Sequence, residues 1–127
     1  MPTYETQRKL VPCVSFDLHV RHMDDLTTVT DTVVANNGGK GMYALSSYAP
    51  APPPTVVMVR NSTIANNGAG GLVADGSGAT VRVTRSTITR NATGWAALNL
   101  GTLSSYGDNN VDGNTTDGNP THTIPTK

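Results

Sequence analysis

Cysteine, tryptophan and phenylalanine are nearly absent from this chain, which has one residue of each among 127. Because Cys13 has no second cysteine, an internal disulfide framework is excluded. Only 14% of the residues are charged and the formal net charge is zero, so we expect neither a basic patch for nucleic acid nor an acidic tail. No apolar run approaches the about 18 residues of a membrane span, and no signal peptide is visible at the N-terminus.

A helical pattern is missing as well. No segment shows a sustained 3.6-residue apolar stripe. The chain is instead rich in threonine, valine, asparagine and glycine, which favour strands and turns over helix. The composition therefore predicts an all-β protein, and the length allows one domain at most.

One sequence motif occurs four times. Each copy has a branched aliphatic residue and, three positions later, an asparagine. The aliphatic residues are Val34, Ile64, Ile88 and Val111, and the asparagines are Asn37, Asn67, Asn91 and Asn114. Self-similarity at a period of 20 to 50 residues is typical of stacked units that share one continuous core.

Each unit reads as three short strands that are separated by glycine, asparagine, aspartate and serine. Alternation places apolar residues on one face, namely Val57, Val59, Ile64, Leu72 and Ala74 in the second unit. Three strands in about two dozen residues describe one rung of a solenoid. The asparagines at the repeated corner tolerate the left-handed backbone region, and stacked about 4.8 Å apart they can form a structural ladder of amide hydrogen bonds.

The chain divides into three parts. Residues 1–25 match no repeat and form a candidate cap or degenerate coil, with one strand predicted between Val11 and Val20. Residues 26–114 contain the coils, with a proline-rich surface loop inserted at 46–54. Residues 115–127 are polar, contain two prolines and are expected to be extended.

The repeat resembles the parallel β-helix repeat of the pectin-lyase-like superfamily. The segments 103–114 and 117–124 resemble the last coil and tail of uncharacterised exported bacterial members. The resemblance implies a right-handed parallel β-helix of about four coils, corresponding to the C-terminal coils of a longer protein. It also implies an extracellular or cell-surface location.

The superfamily includes polysaccharide lyases and glycoside hydrolases, whose chemistry needs clustered carboxylates. The most promising column here reads Asp31, Asn61, Arg85 and Asp108, with its two aspartates at opposite ends, about 14 Å apart. That separation exceeds the 6.5–9.5 Å of an inverting carboxylate pair. We therefore predict no catalytic residues, no cofactor and no metal site; His19 and His22 lack partner ligands.

Five residues are candidates for contact with a polysaccharide. Trp95 aligns with Gly71 and is expected to point outward, where it could stack on sugar rings. The other candidates are Tyr43, Tyr48, Arg60 and Arg82. Packing against a loop or a terminal coil is the alternative for the tryptophan, and solubilising charge is the alternative for the arginines.

These residues predict a non-catalytic exported or cell-surface β-helix segment with a structural or glycan-contacting role. The alternative is a fragment of a polysaccharide lyase or glycoside hydrolase. Self-association is a further expectation, because an uncapped N-terminal coil would expose open strand edges.

Overall fold

The computed structural model of the chain describes residues 11–14, 18–21, 26–46 and 54–125. All regular structure in these ranges is β. The strands are β1 (Val11–Val14), β2 (Leu18–Arg21), β3 (Leu26–Thr30), β4 (Thr32–Ala35), β5 (Met42–Leu45), β6 (Thr55–Arg60), β7 (Thr63–Ala65), β8 (Gly70–Asp75), β9 (Ala79–Thr84), β10 (Thr87–Thr89), β11 (Thr93–Leu98), β12 (Thr102–Ser105), β13 (Asn110–Asp112) and β14 (His122–Thr123). Most of the proline-rich insertion, residues 47–53, lies outside the described ranges.

The strands form three parallel sheets, to which each turn of the chain contributes one strand in succession. Sheet A has the order β1-β4-β7-β10-β13, sheet B the order β2-β5-β8-β11, and sheet C the order β3-β6-β9-β12-β14. Neighbouring strands in a sheet are therefore successive coils. The predicted architecture, an all-β right-handed parallel β-helix, is confirmed.

The core consists of aliphatic columns that run along the stack. In sheet A, Val34 pairs with Ile64, Ile64 with Ile88, and Ile88 with Val111. The first three of these side chains are completely buried. In sheet C, Val57, Val81 and Leu103 form a second buried column. The period-2 pattern of the sequence creates these columns, because alternate side chains on each strand point inward.

The N-terminal segment differs from the single strand that the sequence suggested. It contributes two strands in two sheets: β1 pairs with β4 in sheet A, and β2 pairs with β5 in sheet B. Val14 pairs with Val34 and Leu18 with Met42, so the backbone of this segment continues the strand stacking of the repeat. Only three positions separate the two strands, whereas six separate β4 from β5, and this difference in spacing hides the relationship from sequence alignment.

The C-terminal segment also stays on the stack. The backbone amides of Thr115 and Thr116 donate to the carbonyls of Asn91 and Ala92, and β14 pairs with β12 in sheet C. Residues 115–125 are therefore a further turn that covers the last coil, whereas the sequence suggested an extended tail. Polar side chains in this turn are mostly exposed, as a terminal cap requires.

Candidate functional site

The four repeated asparagines form a continuous chain of amide hydrogen bonds between sheets A and B. The Nδ2 of Asn37 donates to Oδ1 of Asn67 (2.7 Å), that of Asn67 to Asn91 (2.8 Å), and that of Asn91 to Asn114 (3.0 Å). Asn114 donates in turn to Oδ1 of Asp117 at 2.9 Å. All donors thus point toward the C-terminal end, where a carboxylate that only accepts completes the ladder.

The side-chain oxygens of Asn67, Asn91 and Asn114 also accept hydrogen bonds from the backbone. The amide nitrogens of Asn37, Asn67 and Asn91 donate to Oδ1 of the next asparagine at 3.2, 3.0 and 2.9 Å. A side-chain amide therefore satisfies a backbone donor at a corner where the strand ladder is interrupted. Asn67 and Asn91 are each only 2% exposed, so these bonds lie in a largely water-excluded environment.

Glycine accompanies the ladder for a steric reason. A Cβ at Gly71 would stand 2.7 Å from Nδ2 of Asn91, and one at Gly41 would stand 2.6 Å from Nδ2 of Asn67. Gly94 occupies the same position beside Asn114. A backbone carbonyl of the next coil is about as close in each case, so the asparagine and the backbone together require glycine in the coil before them, a relationship that the sequence interpretation missed.

A second column of corner residues lies on the outside of the ladder. Asn36, Asn66 and Arg90 all adopt the left-handed backbone conformation, with φ of 63, 56 and 58°. Nδ2 of Asn66 donates to Oδ1 of Asn36 at 2.7 Å. These exposed residues and the small Gly38 and Gly68 line a shallow groove of about 590 Å³ that follows the stack.

The corner between sheets C and A uses hydroxyl groups in the same way. Oγ of Ser62 accepts from the amide of Thr32, and Oγ of Ser86 accepts from the amide of Ser62. Oδ1 of Asn109 accepts from the amide of Ser86 at 2.9 Å. Because this ladder changes residue type along the stack, the repeated Ser-Thr pair was its only sequence signal.

Two of the described carboxylates, Asp75 and Asp108, each accept two structural hydrogen bonds. Asp75 is 5% exposed, and its oxygens accept from the Tyr43 hydroxyl (2.6 Å) and from Nδ2 of Asn99 (2.7 Å). Asp108 accepts from the hydroxyl of Thr84 and the backbone amide of Arg85, and the Thr84 hydrogen bond is the main reason why its pKa lies below the ordinary value. Side-chain hydrogen bonding of this kind supports corner geometry.

Arg60 and Arg82 lie on the outer face of sheet C, and both are exposed. Met58 pairs with Arg82 and Arg60 pairs with Thr84, so the two arginines are diagonal neighbours on adjacent strands. Strand spacing and rise place their Cα atoms about 8 Å apart. None of the five strands of sheet C contains an aspartate or glutamate.

The outward orientation expected for Trp95 is wrong. Its side chain is 6% exposed and belongs to the hydrophobic core. Trp95 pairs with Leu72, and it is Gly94 that takes the place of Gly71 beside the asparagine ladder. Trp95 is therefore unavailable to stack on a sugar; its Nε1 is buried without a hydrogen-bond partner in the described part of the chain.

Tyr43, the remaining aromatic candidate within the described ranges, does not join the arginines. Tyr43 lies on β5 in sheet B, half-buried, with Nζ of Lys40 4.6 Å from its ring centroid. Arg60 and Arg82 belong to sheet C, a different face of the solenoid. Tyr48 lies outside the described residues, as does His22. The candidate surface that the structure assembles is thus the arginine pair of sheet C alone.

The described ranges can also be compared with the expectations about metal ligands and membrane spans. They contain no group of three or more histidine, cysteine, aspartate or glutamate side chains placed to hold a metal ion. They also contain no helix with the length and hydropathy needed to cross a membrane.

Comparison with known proteins identifies the family of the chain but no individual relative. No curated protein and no solved structure gives a significant match. A family model described as "right handed beta helix region" matches residues 18–127. The match begins at β2 and spans the stacked strands that follow, including the last turn. The chain therefore belongs to the right-handed beta helix family.

Proposed function

We propose that this protein is a non-catalytic β-helix segment that contacts an acidic polysaccharide through the outer face of sheet C. The observation that carries the proposal is the charge of this face. Arg60 and Arg82 are exposed on adjacent strands, His122 continues the column of Arg82 and Ser104, and the strands carry no acidic residue. A guanidinium group pairs well with a carboxylate, and two in fixed positions favour a polymer with repeated acidic groups.

The other outward residues of sheet C are compatible with a long polysaccharide ligand. Outward residues beside the arginines are uncharged and mostly small or medium in size, including Thr80, Thr84 and Thr102. Threonine hydroxyls both donate and accept hydrogen bonds, which suits a surface rich in sugar hydroxyls. A rigid array of this kind binds an extended chain without losing much side-chain entropy of its own.

A non-catalytic role is supported by the use of the carboxylates. Asp75 and Asp108 accept hydrogen bonds that hold the corners, and Asp31 accepts one from Asn61. Asp31 and Asp108 occupy the same corner three coil steps apart, about 14 Å by strand spacing. The resemblance to exported proteins supports a location outside the cell or at its surface.

Binding to polygalacturonate tests the proposal. Arg60→Gln combined with Arg82→Gln should weaken binding roughly tenfold, since each hydrogen bond to a charged group contributes about 1.5–3 kcal/mol before solvent screening. Arg85→Gln is the matched control, because Arg85 lies at the corner beside Asp108. Unchanged binding in the double variant would refute the role of this face.

The alternative role, a fragment of a polysaccharide lyase or glycoside hydrolase, is tested with the same material. Incubation with polygalacturonate and Ca²⁺ should release no unsaturated product. Turnover that disappears in Asp31→Asn or Asp108→Asn would overturn the non-catalytic proposal.

A further inference from the structure

The chain contains five pairs in which an asparagine or an aspartate is followed directly by glycine. They are Asn37-Gly38, Asn67-Gly68, Asp75-Gly76, Asp112-Gly113 and Asp117-Gly118. Such a pair can react without an enzyme, because the amide nitrogen of the glycine can attack Cγ of the preceding side chain and no Cβ hinders its approach. The reaction needs a side chain that is free to turn and an amide nitrogen that is free of hydrogen bonds. The fold therefore determines which of these pairs react.

The asparagine ladder protects the two asparagine pairs. Oδ1 and Nδ2 of Asn67 are both bonded within the ladder, and the amide of Gly68 donates to the carbonyl of Asn37 at 2.8 Å. Asn37 is held to Oδ1 of Asn67 through both its backbone amide and its Nδ2, and it is 7% exposed. The ladder thus keeps both side chains from turning toward the glycine that follows them.

Two of the aspartate pairs are held as well. Both carboxylate oxygens of Asp75 accept hydrogen bonds, and the amide of Gly76 donates to the carbonyl of Leu98 at 3.0 Å. Asp117 is exposed, but its Oδ1 accepts from Nδ2 of Asn114 at 2.9 Å and from the backbone amide of the same residue at 3.3 Å. Each of these carboxylates would have to give up its hydrogen bonds before it could react.

The pair formed by Asp112 and Gly113 differs, because the stack of sheet A ends there. Asp112 is exposed at the end of β13, and its carboxylate has no hydrogen-bond or ion-pair partner among the described residues. At the equivalent corner of earlier coils, the amides of Asn36 and Asn66 donate to a carbonyl of the next strand in sheet A, at 3.2 and 3.1 Å. No strand follows β13 in that sheet, and the amide of Gly113 has no acceptor within the described part of the chain. Both reacting groups are therefore free.

We propose that Asp112 and Gly113 form a modification site at which the chain converts, without an enzyme, to isoaspartate. The amide nitrogen of Gly113 attacks Cγ of the protonated carboxyl group of Asp112. The N–Cγ bond forms, the Cγ–O bond breaks, and the hydroxyl group leaves with the amide proton as water. Solvent water then opens the cyclic imide: cleavage at Cγ restores aspartate, and cleavage at the main-chain carbonyl carbon leaves Gly113 attached through Cγ as isoaspartate.

Isoaspartate lengthens the main chain by one carbon just before the last asparagine of the ladder. Oδ1 of Asn114 accepts from the backbone amide of Asn91 at 2.9 Å and from its Nδ2 at 3.0 Å, so both bonds depend on where residue 114 lies. The amides of Thr115 and Thr116 donate to carbonyls of the preceding coil and follow directly in the chain. The modification should therefore loosen the C-terminal turn, while the inner coils keep their own ladder bonds.

Ageing of the folded full chain in H₂¹⁸O, followed by peptide mapping, tests the proposal. Opening of the imide places one ¹⁸O atom in the residue that reacted, and electron-transfer fragmentation distinguishes isoaspartate from aspartate. We expect isoaspartate to accumulate at Asp112 well before it appears at Asp75, at Asp117 or at the ladder asparagines. The chain aged in urea is the reference, because unfolding removes the protection of the other pairs. Asp112→Glu is the matched control: it keeps the exposed charge, but its longer side chain closes an imide ring far more slowly.

Equal rates at Asp112 and Asp117 in the folded chain would overturn the proposal, as would an undiminished total of isoaspartate in Asp112→Glu. The effect on the C-terminal turn has its own measurement. In the ¹⁵N-labelled chain, after chromatographic separation of the isomerised form, the amide signals of Thr115 and Thr116 should leave their folded positions and those of β7 and β8 should remain. Unchanged signals from the C-terminal turn would refute the expected loosening.

Discussion

Removal of the central ladder amide is the most direct test of what holds the coils in register. Asn67→Ala deletes a side chain that bonds in both directions along the stack. Its Oδ1 accepts from Nδ2 and from the backbone amide of Asn37, and its Nδ2 donates to Oδ1 of Asn91. The variant therefore breaks these three ladder hydrogen bonds, and a longer one of 3.5 Å from Nδ2 to the carbonyl of Val34, at a site that is 2% exposed.

The expected loss follows from which partners remain satisfied. Oδ1 of Asn91 keeps the backbone amide of residue 67 as a donor. Both donors of Asn37 lose their acceptor, and each buried donor without a partner costs about 1–3 kcal/mol. The free energy of unfolding should therefore fall by about 3–5 kcal/mol, allowing for some relaxation and entry of water.

Chemical denaturation followed by far-ultraviolet circular dichroism measures this loss. Asn66→Gly is the matched control: it removes the neighbouring exposed amide bond to Asn36, while glycine keeps the left-handed φ of 56° without strain. We expect that control to lose less than about 1 kcal/mol. The denaturant slope should be compared as well, because a solenoid that loses one interface can unfold in parts.

A loss below about 1 kcal/mol in Asn67→Ala would refute the reasoning, because the orphaned donors alone exceed it. Asn67→Asp adds an independent check. Its carboxylate would place an oxygen against Oδ1 of Asn91 in a buried site, so it should destabilise the fold at least as much as alanine does. If the variant were as stable as the unmodified protein, the hydrogen bonds of the ladder would not contribute to the stability of the coil stack.

Three further predictions concern the core, a surface carboxylate and the N-terminal end of the stack. Ile88→Ala should lower the free energy of unfolding by about 2–5 kcal/mol, because the side chain is fully buried; an unchanged thermal midpoint would contradict this. The folded-state pKa of Asp108 lies below its ordinary value, so its contribution to stability is present above pH 3.8 and disappears as the pH falls through the lowered value; Asp108→Asn should remove this part of the pH dependence. The full chain should self-associate through the outer edges of β1, β2 and β3, and a monodisperse monomer in sedimentation would contradict this expectation.

The repeat was sufficient to predict the coils because one residue pattern meets two demands. Ile64 and Ile88 recur because a stacked interior needs side chains of matching volume, and Asn67 and Asn91 recur because the corner needs amides that bond upward and downward. Both demands repeat with every coil, so they leave a periodic signal in the sequence. Residues 1–25 were predicted only as a cap or a degenerate coil, because the spacing between β1 and β2 is three positions shorter than that between β4 and β5.

The wrong orientation predicted for Trp95 results from a difference of one residue in the length of two corners. Ile64 and Ile88 pair across 24 positions, whereas Thr93 and Trp95 pair with Gly70 and Leu72 across 23. The corner after Asn91 is therefore one residue shorter than the corner after Asn67. A one-residue slip moves every later side chain to the opposite face of the strand, which is why counting forward from the asparagine placed the tryptophan outside.

Two arginines, Arg85 and Arg90, occupy left-handed corners in the third coil, and they differ in whether a neighbouring carboxylate interacts with them. Arg85 follows Asp31 and Asn61 in its column, with φ of 47°. Asp108 accepts a hydrogen bond from the backbone amide of Arg85, and the positive charge of Arg85 contributes to the lowered pKa of Asp108. That corner is thus compensated from within the protein. Arg90 follows Asn36 and Asn66 in its column, and no carboxylate of the described residues pairs with its guanidinium. Because asparagine adopts the left-handed region at lower strain, turn geometry explains Asn36 and Asn66 but not the arginine that follows them.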